Sequence, residues 1–482
     1  MGETGLGKRI ARSMLWSFGE NFVAAAVGIV ATVILARLVE PVEFGLIAVL
    51  EVFVMTGLLF VESGFSSALI RLKERTRQQE QTALACNLIA AALLYSALFV
   101  CAPLIADLYS MPRLTAVTRV FCLVLPLNAL CIVQQARLTA SLRFGSLFMC
   151  TITASVVSTV VAVIMACFGF GVWALVMQQL SMWGVRCVML WAVQWRKPVV
   201  PKFNRKAFGE LFGFGWKLLV ASIVDKVSTG LYSLVIGKCF GVYHAGLFSK
   251  ARSLAAFPAE NATAAMQRVS YPALSKITDE KERLSRSSRH LVEVAEWFVF
   301  PAMCLVAVLS PQVVSLLLGD KWIAAAPYLS VICIGYALYP IHAINLNILN
   351  ACGRSDLFLR LELIKVPIAV SVMILGGLFY GIMGLCLAFA INSVICLFVN
   401  GFYSKRLASL PISSQLLSLI PIVICSVVAS VVAYFVASYV DVVWLSFIIG
   451  VATGAACYLC ISFVFVRRVS RDALNFFKLI LR

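Results

Sequence analysis

One helical stripe carries the densest chemistry in this chain. Lys250, Phe257, Asn261, Ala264 and Arg268 recur at steps of 7, 4, 3 and 4, which puts them on one face of an α-helix. Arg252 and Glu260 lie in the same stretch. An earlier run carries Glu51, Met55, Leu58 and Glu62 at steps of 4, 3 and 4, again one face. Lys217, Asp225 and Lys226 stand in a third run. All these charges sit within or at the edge of hydrophobic stretches. A charge at the centre of a bilayer costs about 2.5–3.5 kcal/mol on insertion scales, so they must face a wet cavity or a partner. Lys250, Arg252, Arg268, Lys217 and Lys226 read as cavity cations that bind a cargo. Glu51, Glu62, Asp225 and Glu260 read as cavity acids available for coupling to a proton or a sodium ion.

Covalent chemistry has no comparable signature. His244, His290 and His342 stand alone, and no Gly-rich loop, P-loop or metal-ligand cluster appears. Without a Walker A sequence, ATP hydrolysis is not expected. A membrane glycosyltransferase, ligase or polymerase usually carries a sizeable extramembrane loop, and none is present. No enzyme, cofactor or metal is therefore expected. The 16 cysteines are scattered through apolar runs as small hydrophobes. The CxxC of Cys457 and Cys460 has no His or acidic neighbour. Among the other in-run charges, Arg119 and Arg186 can snorkel toward an interface, and Glu20, Glu293, Glu296 and Glu362 complete the acids. Asp225 and Lys226 are adjacent, so their side chains diverge by about 100° and do not pair with each other.

The elements that position these residues belong to a membrane. The chain is 62% hydrophobic and 13% charged, with mean hydropathy +0.97; lipid, not a soluble core, accommodates that composition. Fourteen apolar runs of about 20 residues, each long enough to span a bilayer, begin near Leu15 and end with one near Leu445. A repeat organises them. LARLVEPVEFGL (Leu35 to Leu46) returns 201 residues later as IGKCFGVYHAGL (Ile236 to Leu247). Pro103 then pairs with Pro311, Pro126 with Pro340, and FGVWAL (Phe170 to Leu175) with YGIMGL (Tyr380 to Leu385). Duplicated multi-span units are usual in transporters. At the 201-residue offset Glu51 falls on Arg252, so an acid and a base are expected on opposite walls of the space between the halves.

The expected organisation is all-α: an N-lobe of spans one to six (1–194), a basic linker (195–210), a C-lobe of spans seven to twelve (211–403), spans thirteen and fourteen (404–466) and a basic tail (467–482). Six spans per lobe give both the same orientation, a parallel repeat. Leu474, Phe477 and Ile480 at helical spacing among basic residues predict a tail lying on the inner leaflet.

The net charge of +18 invites nucleic acid as a partner, but its placement points elsewhere. With the N-terminus in the cytoplasm, cytoplasmic segments hold 29 of the 40 Lys and Arg. The opposite side holds only Arg37, Arg113, Lys238 and Lys321. The positive-inside rule then puts both termini in the cytoplasm. The run after Lys8, Arg9 and Arg12 is too long for a cleaved signal, and an uncleaved first span is expected.

At these residues the chain resembles a known family. LARLVEPVEFGL, ESGFSSALI (Glu62 to Ile70), GVYHAGLFSKA (Gly241 to Ala251), QRVSYPALSKI (Gln267 to Ile277) and LLGDKWIAAAP (Leu317 to Pro327) are similar to the Wzx-type polysaccharide flippases. These belong to the multidrug/oligosaccharidyl-lipid/polysaccharide exporter superfamily, and the colanic-acid-exporter-like subgroup is the nearest likeness. The resemblance runs from near Met14 to about Phe402. It implies two six-helix bundles around a central cavity that opens alternately to each side. It also implies flipping of an undecaprenyl-diphosphate-linked oligosaccharide from the cytoplasmic to the periplasmic leaflet of the bacterial inner membrane. A diphosphate needs cations, which Lys250, Arg252 and Arg268 would supply from the eighth span. Related flippases use bases of the first and second spans too, where this chain has Glu20, Glu51 and Glu62 instead. A drug or organic-cation antiporter of the same superfamily is the alternative, kept open by Glu51, Glu62 and Asp225.

Overall fold

The computed structural model describes residues 23–481 except 24–25, 63–64, 67–68, 70–75, 142, 196–197, 276, 279 and 353–354. The described residues are helices joined by turns, with no strand among them. In chain order the helices are α1 (Ala26–Leu38), α2 (Pro41–Glu62), α3 (Arg77–Leu108), α4 (Arg113–Phe121), α5 (Val124–Ala140), α6 (Phe144–Cys167) and α7 (Val172–Val193). They continue with α8 (Arg205–Cys239), α9 (Val242–Ser275), α10 (Lys281–Val308), α11 (Ser310–Leu317), α12 (Ala326–Tyr336) and α13 (Tyr339–Ala351). The last are α14 (Ser355–Ala408), α15 (Ile412–Ser438), α16 (Val443–Phe465) and α17 (Arg467–Leu481). Helix covers every one of the apolar runs read from the sequence, the first of them only over its described part.

The repeat seen in the sequence reappears in the backbone. Gly171 ahead of α7 has φ 55° and ψ −121°. Gly381, its counterpart, has φ 59° and ψ −136° and divides α14 into two helices. A Cβ is poorly tolerated at those angles, so each glycine is what lets one span turn back into the next. Pro126 and Pro340 also match. Each lacks the N–H that would bond a carbonyl four residues back, and each follows a break: between α4 and α5, and between α12 and α13. Pro311 stands in the first turn of α11, where its missing N–H is harmless.

Gly45 and Gly246 make the closest approach. A Cβ on Gly45 would lie 1.7 Å from the Val242 carbonyl oxygen, and one on Gly246 would lie 2.1 Å from that of Pro41. Since 41 matches 242 and 45 matches 246, the start of α2 and the first turn of α9 meet through the same surface used twice. One glycine on each helix permits this backbone contact between apolar helices. Farther along α2, Val49 and Val52 press on Gly237 and Gly230 of α8.

By contact the chain divides into two compact units, Met1–Gly246 and Leu247–Arg482. In the first, the basic linker is pinned. Thr82 Oγ1 donates to the Lys202 carbonyl and accepts from Asn204 N–H, and Gln79 donates to Glu210 over 2.9 Å. Asn204 caps α8, Thr76 closes a capping box on α3, and Val199 is buried beside Leu211, Phe65 and Leu69. In the second, α17 docks on α10: Trp297 Nε1 donates to Ser470 Oγ over 3.0 Å, and Val469 and Ala473 are buried. The predicted amphipathic helix is therefore present. The side chains of Phe477 and Ile480 lie outside those described.

Candidate functional site

The α9 sequence stays helical through the whole predicted stripe. Lys250 and Arg252 are half-buried, while Asn261 and Glu260 are exposed. Phe257, between them, is 39% exposed, so this face is not packed into a protein core. Arg252 has a defined partner: its Nε donates to the Tyr336 hydroxyl over 3.3 Å. Tyr336 is itself held by ring contacts with Tyr339 and Phe389. The guanidinium is thus oriented by Tyr336 at the end of α12, a residue that no sequence motif marks.

Of the other predicted site residues, Glu51 and Glu62 are half-buried on α2, and Lys226 is exposed on α8. The side chains of Lys217, Asp225 and Arg268 lie outside the described residues, as does Glu20. Arg119 lies over the Phe99 ring at 4.3 Å, and Arg186 donates to Gln135 over 3.2 Å.

Behind Tyr336 lies a polar cluster that sequence reading missed. Lys365 Nζ donates to Glu362 Oε1 over 2.8 Å, with both side chains nearly buried. Lys365 stands inside α14, one turn from Glu362. His342 of α13 contacts Ser393 Oγ through Nε2 at 3.1 Å and Asn400 Nδ2 through Nδ1 at 3.2 Å. Ser393 Oγ donates to the Gly335 carbonyl over 2.9 Å. That hydroxyl has one proton and spends it on the carbonyl, so it accepts from the imidazole. The hydrogen-bond pattern therefore places the ring proton on Nε2, with Nδ1 accepting from Asn400. Alongside, Asn345 and Gln415 exchange a reciprocal pair of amide hydrogen bonds at 3.1 and 3.3 Å. Glu296 of α10 is buried, and neither carboxylate oxygen has a hydrogen-bond partner among the described residues.

The arrangement suits binding and repositioning of charge. Arg252 is held by a tyrosine hydroxyl, and His342, Ser393 and Asn400 form a hydrogen-bonded chain that ends on the carbonyl of the residue before that tyrosine. Among the described residues no group of three or more His, Cys, Asp and Glu is placed to hold a metal ion.

Comparison with known proteins gives this geometry a family. A family model described as "Polysaccharide biosynthesis protein" matches residues 34–327. The chain is 26% identical over 398 residues to the lipopolysaccharide biosynthesis protein WzxC of Escherichia coli (strain K12), covering 80% of this chain and 79% of that one. It is 24% identical over 392 residues to the succinoglycan biosynthesis transport protein ExoT of Rhizobium meliloti (strain 1021), with coverage of 80% and 79%. Its fold is similar to a solved structure of the lipid II flippase MurJ in an inward closed conformation. The TM-score is 0.73 at 16% identity, over 94% of this chain and 99% of that one.

Proposed function

Because the chain belongs to the polysaccharide biosynthesis protein family, we propose that it is a flippase for lipid-linked oligosaccharides. It moves undecaprenyl-diphosphate-linked repeat units from the cytoplasmic to the periplasmic leaflet of the bacterial inner membrane, by alternating access, for surface or exopolysaccharide assembly. The observation that carries the reading is the family match together with the half-buried bases Lys250 and Arg252 of α9. A diphosphate leaving water loses its hydration, and fixed cations offset that loss. Arg252 presents a planar fork suited to phosphate oxygens, and Lys250 a mobile point charge. Arg268, Lys217 and Lys226 complete the expected cation set. The names of the relatives support a saccharide cargo: WzxC is a lipopolysaccharide biosynthesis protein and ExoT a succinoglycan transport protein.

In this reading Glu51, Glu62, Asp225 and Glu260 are the acids that link movement to a proton or sodium gradient. Both termini and the 195–210 linker are cytoplasmic, and the linker joins two six-span lobes.

The test is a deletion strain. Without the protein, lipid-linked saccharide should accumulate on the cytoplasmic side, and the surface polysaccharide should disappear. Normal surface polysaccharide with no accumulation would reject the flippase role.

A further inference from the structure

From the His342 relay we infer that the second unit contains a proton-binding site formed by His342 and the side-chain amide of Asn400, linked through Gly335 and Tyr336 to Arg252. The inference rests on the flippase reading only for what the proton drives. The site itself follows from hydrogen-bond bookkeeping.

Asn400 is 1% exposed. Its Nδ2 donates to His342 Nδ1, while its Oδ1 has no partner among the described residues. One half of a buried amide is therefore unsatisfied, which is costly in a protein interior. Rotating the amide by half a turn exchanges the two atoms. Oδ1 then faces Nδ1, a contact that is attractive only when Nδ1 carries a proton. The number of unpaired Asn400 atoms is the same in both arrangements, so rotation adds no orphan. The new bond runs from an imidazolium to an amide oxygen and is of the stronger, charge-assisted kind. The cluster thus has two matched states that differ by one proton on Nδ1. Nε2–H keeps its bond to Ser393 in both.

Charges around the ring fit such a switch. Lys365 of α14 faces His342 from the first half of that helix. Glu362 neutralises Lys365 at 2.8 Å. Cys396 lies in the field of both, on the second half of α14. Glu296 of α10 lies beside the Ile341 backbone, next in sequence to His342.

The link to the cargo site is short. The carbonyl that accepts from Ser393 belongs to Gly335, and the next residue, Tyr336, holds Arg252. Gly335 is tightly seated: a Cβ there would come within 2.9 Å of the Phe389 ring, and Phe389 also packs on Tyr336. A change of charge at His342 alters the Ser393 bond and is transmitted to the end of α12, where Arg252 is oriented.

The experiment reads the proton directly. The full chain, labelled with 15N-histidine, is placed in phosphatidylethanolamine–phosphatidylglycerol bilayers, and His342→Gln identifies the His342 signals among those of three histidines. As the pH is lowered from about 8 to about 4, the wild-type ring should pass from the neutral Nε2–H tautomer to the doubly protonated form. Asn400→Asp should favour the doubly protonated form by about tenfold or more at a given pH. Asn400→Leu should favour the neutral form. A ring that stays neutral across the range overturns the proposal without recourse to any variant. So does a ring that titrates alike in the wild type and both variants, because the amide would then be a bystander. A strain that fails to accumulate lipid-linked saccharide would remove the cargo but leave this titration standing, so the two readings fail separately.

Discussion

Arg252 is where residue chemistry meets the proposed cargo, and its contact with Tyr336 makes the claim specific. If the guanidinium holds a diphosphate, Arg252→Ala should sharply reduce surface polysaccharide while leaving the amount of protein in the membrane unchanged. Tyr336→Phe keeps the ring contacts with Tyr339 and Phe389 but removes the hydroxyl that accepts from Nε. A hydrogen bond to a charged group contributes about 1.5–3 kcal/mol, so this variant should fall between wild type and Arg252→Ala. Lys250→Arg should be mildest, because a point charge is replaced by another cation. Quantified surface polysaccharide and membrane immunoblots separate transport from insertion. Normal polysaccharide in Arg252→Ala and Tyr336→Phe would remove Arg252 from the cargo site.

Among the elements, the α2–α9 crossing is the most exacting, since Gly45 and Gly246 each face a carbonyl oxygen at a distance no Cβ tolerates. Gly45→Ala should force the helices apart and lower thermal stability in detergent by about 1–3 kcal/mol. Gly184→Ala in α7 is the matched control. Nothing stands within 4 Å of its Cβ position, and alanine favours helix, so that change should be neutral or slightly stabilising. Equal losses in both variants would mean that packing at the crossing is not the cause. The docking of α17 has a different sensitivity. At the cytoplasmic end expected for α10, His290 lies 3.7 Å from Glu293 and 3.4 Å from Asp472 of α17. The Glu293 contact and then the Asp472 charge hold the imidazole above its ordinary value of 6.5, against the opposing effect of burial. A raised folded value means the docking gain is complete below pH 6.5 and fades as the pH rises through that raised value. Hydrogen exchange of residues 467–474 should therefore speed up over that window beyond the ordinary pH trend. His290→Gln should remove the excess, and an unchanged excess in that variant would acquit His290.

At the scale of the whole molecule, sequence reading succeeded where a constraint is local. A proline lacking its N–H, or a glycine at positive φ, leaves a mark at one position, so Pro126 with Pro340 and Gly171 with Gly381 were legible as a repeat. His342, Ser393 and Asn400 were not, because their partnership spans 51 and 58 residues and depends on how two helix segments pack. The Lys365–Glu362 pair, by contrast, is local, three residues apart on one helix, so its spacing is visible in the sequence. The proposed sidedness has a physical counterpart in the first unit. Arg113 reaches toward Glu43 at 3.9 Å and Lys238 bonds the Leu108 carbonyl, so three of the four bases assigned to the sparse side (Arg37, Arg113 and Lys238) lie where α2 begins and α3 ends. The basic linker is bonded to Gln79, Gln81 and Thr82 at the start of α3. With 32 residues, α3 separates these two groups by roughly 48 Å at 1.5 Å per residue, enough to cross a bilayer. A linker held at one end and a sparsely charged cluster at the other should therefore face opposite sides. Reporter fusions within 195–210 and after Arg482 should both signal cytoplasm, and a cysteine at the exposed Arg113 should be labelled from the periplasm by a membrane-impermeant thiol reagent. A periplasmic linker would invert the whole assignment, whereas a periplasmic C-terminus with a cytoplasmic linker would leave the first unit correct and change the number of spans after it.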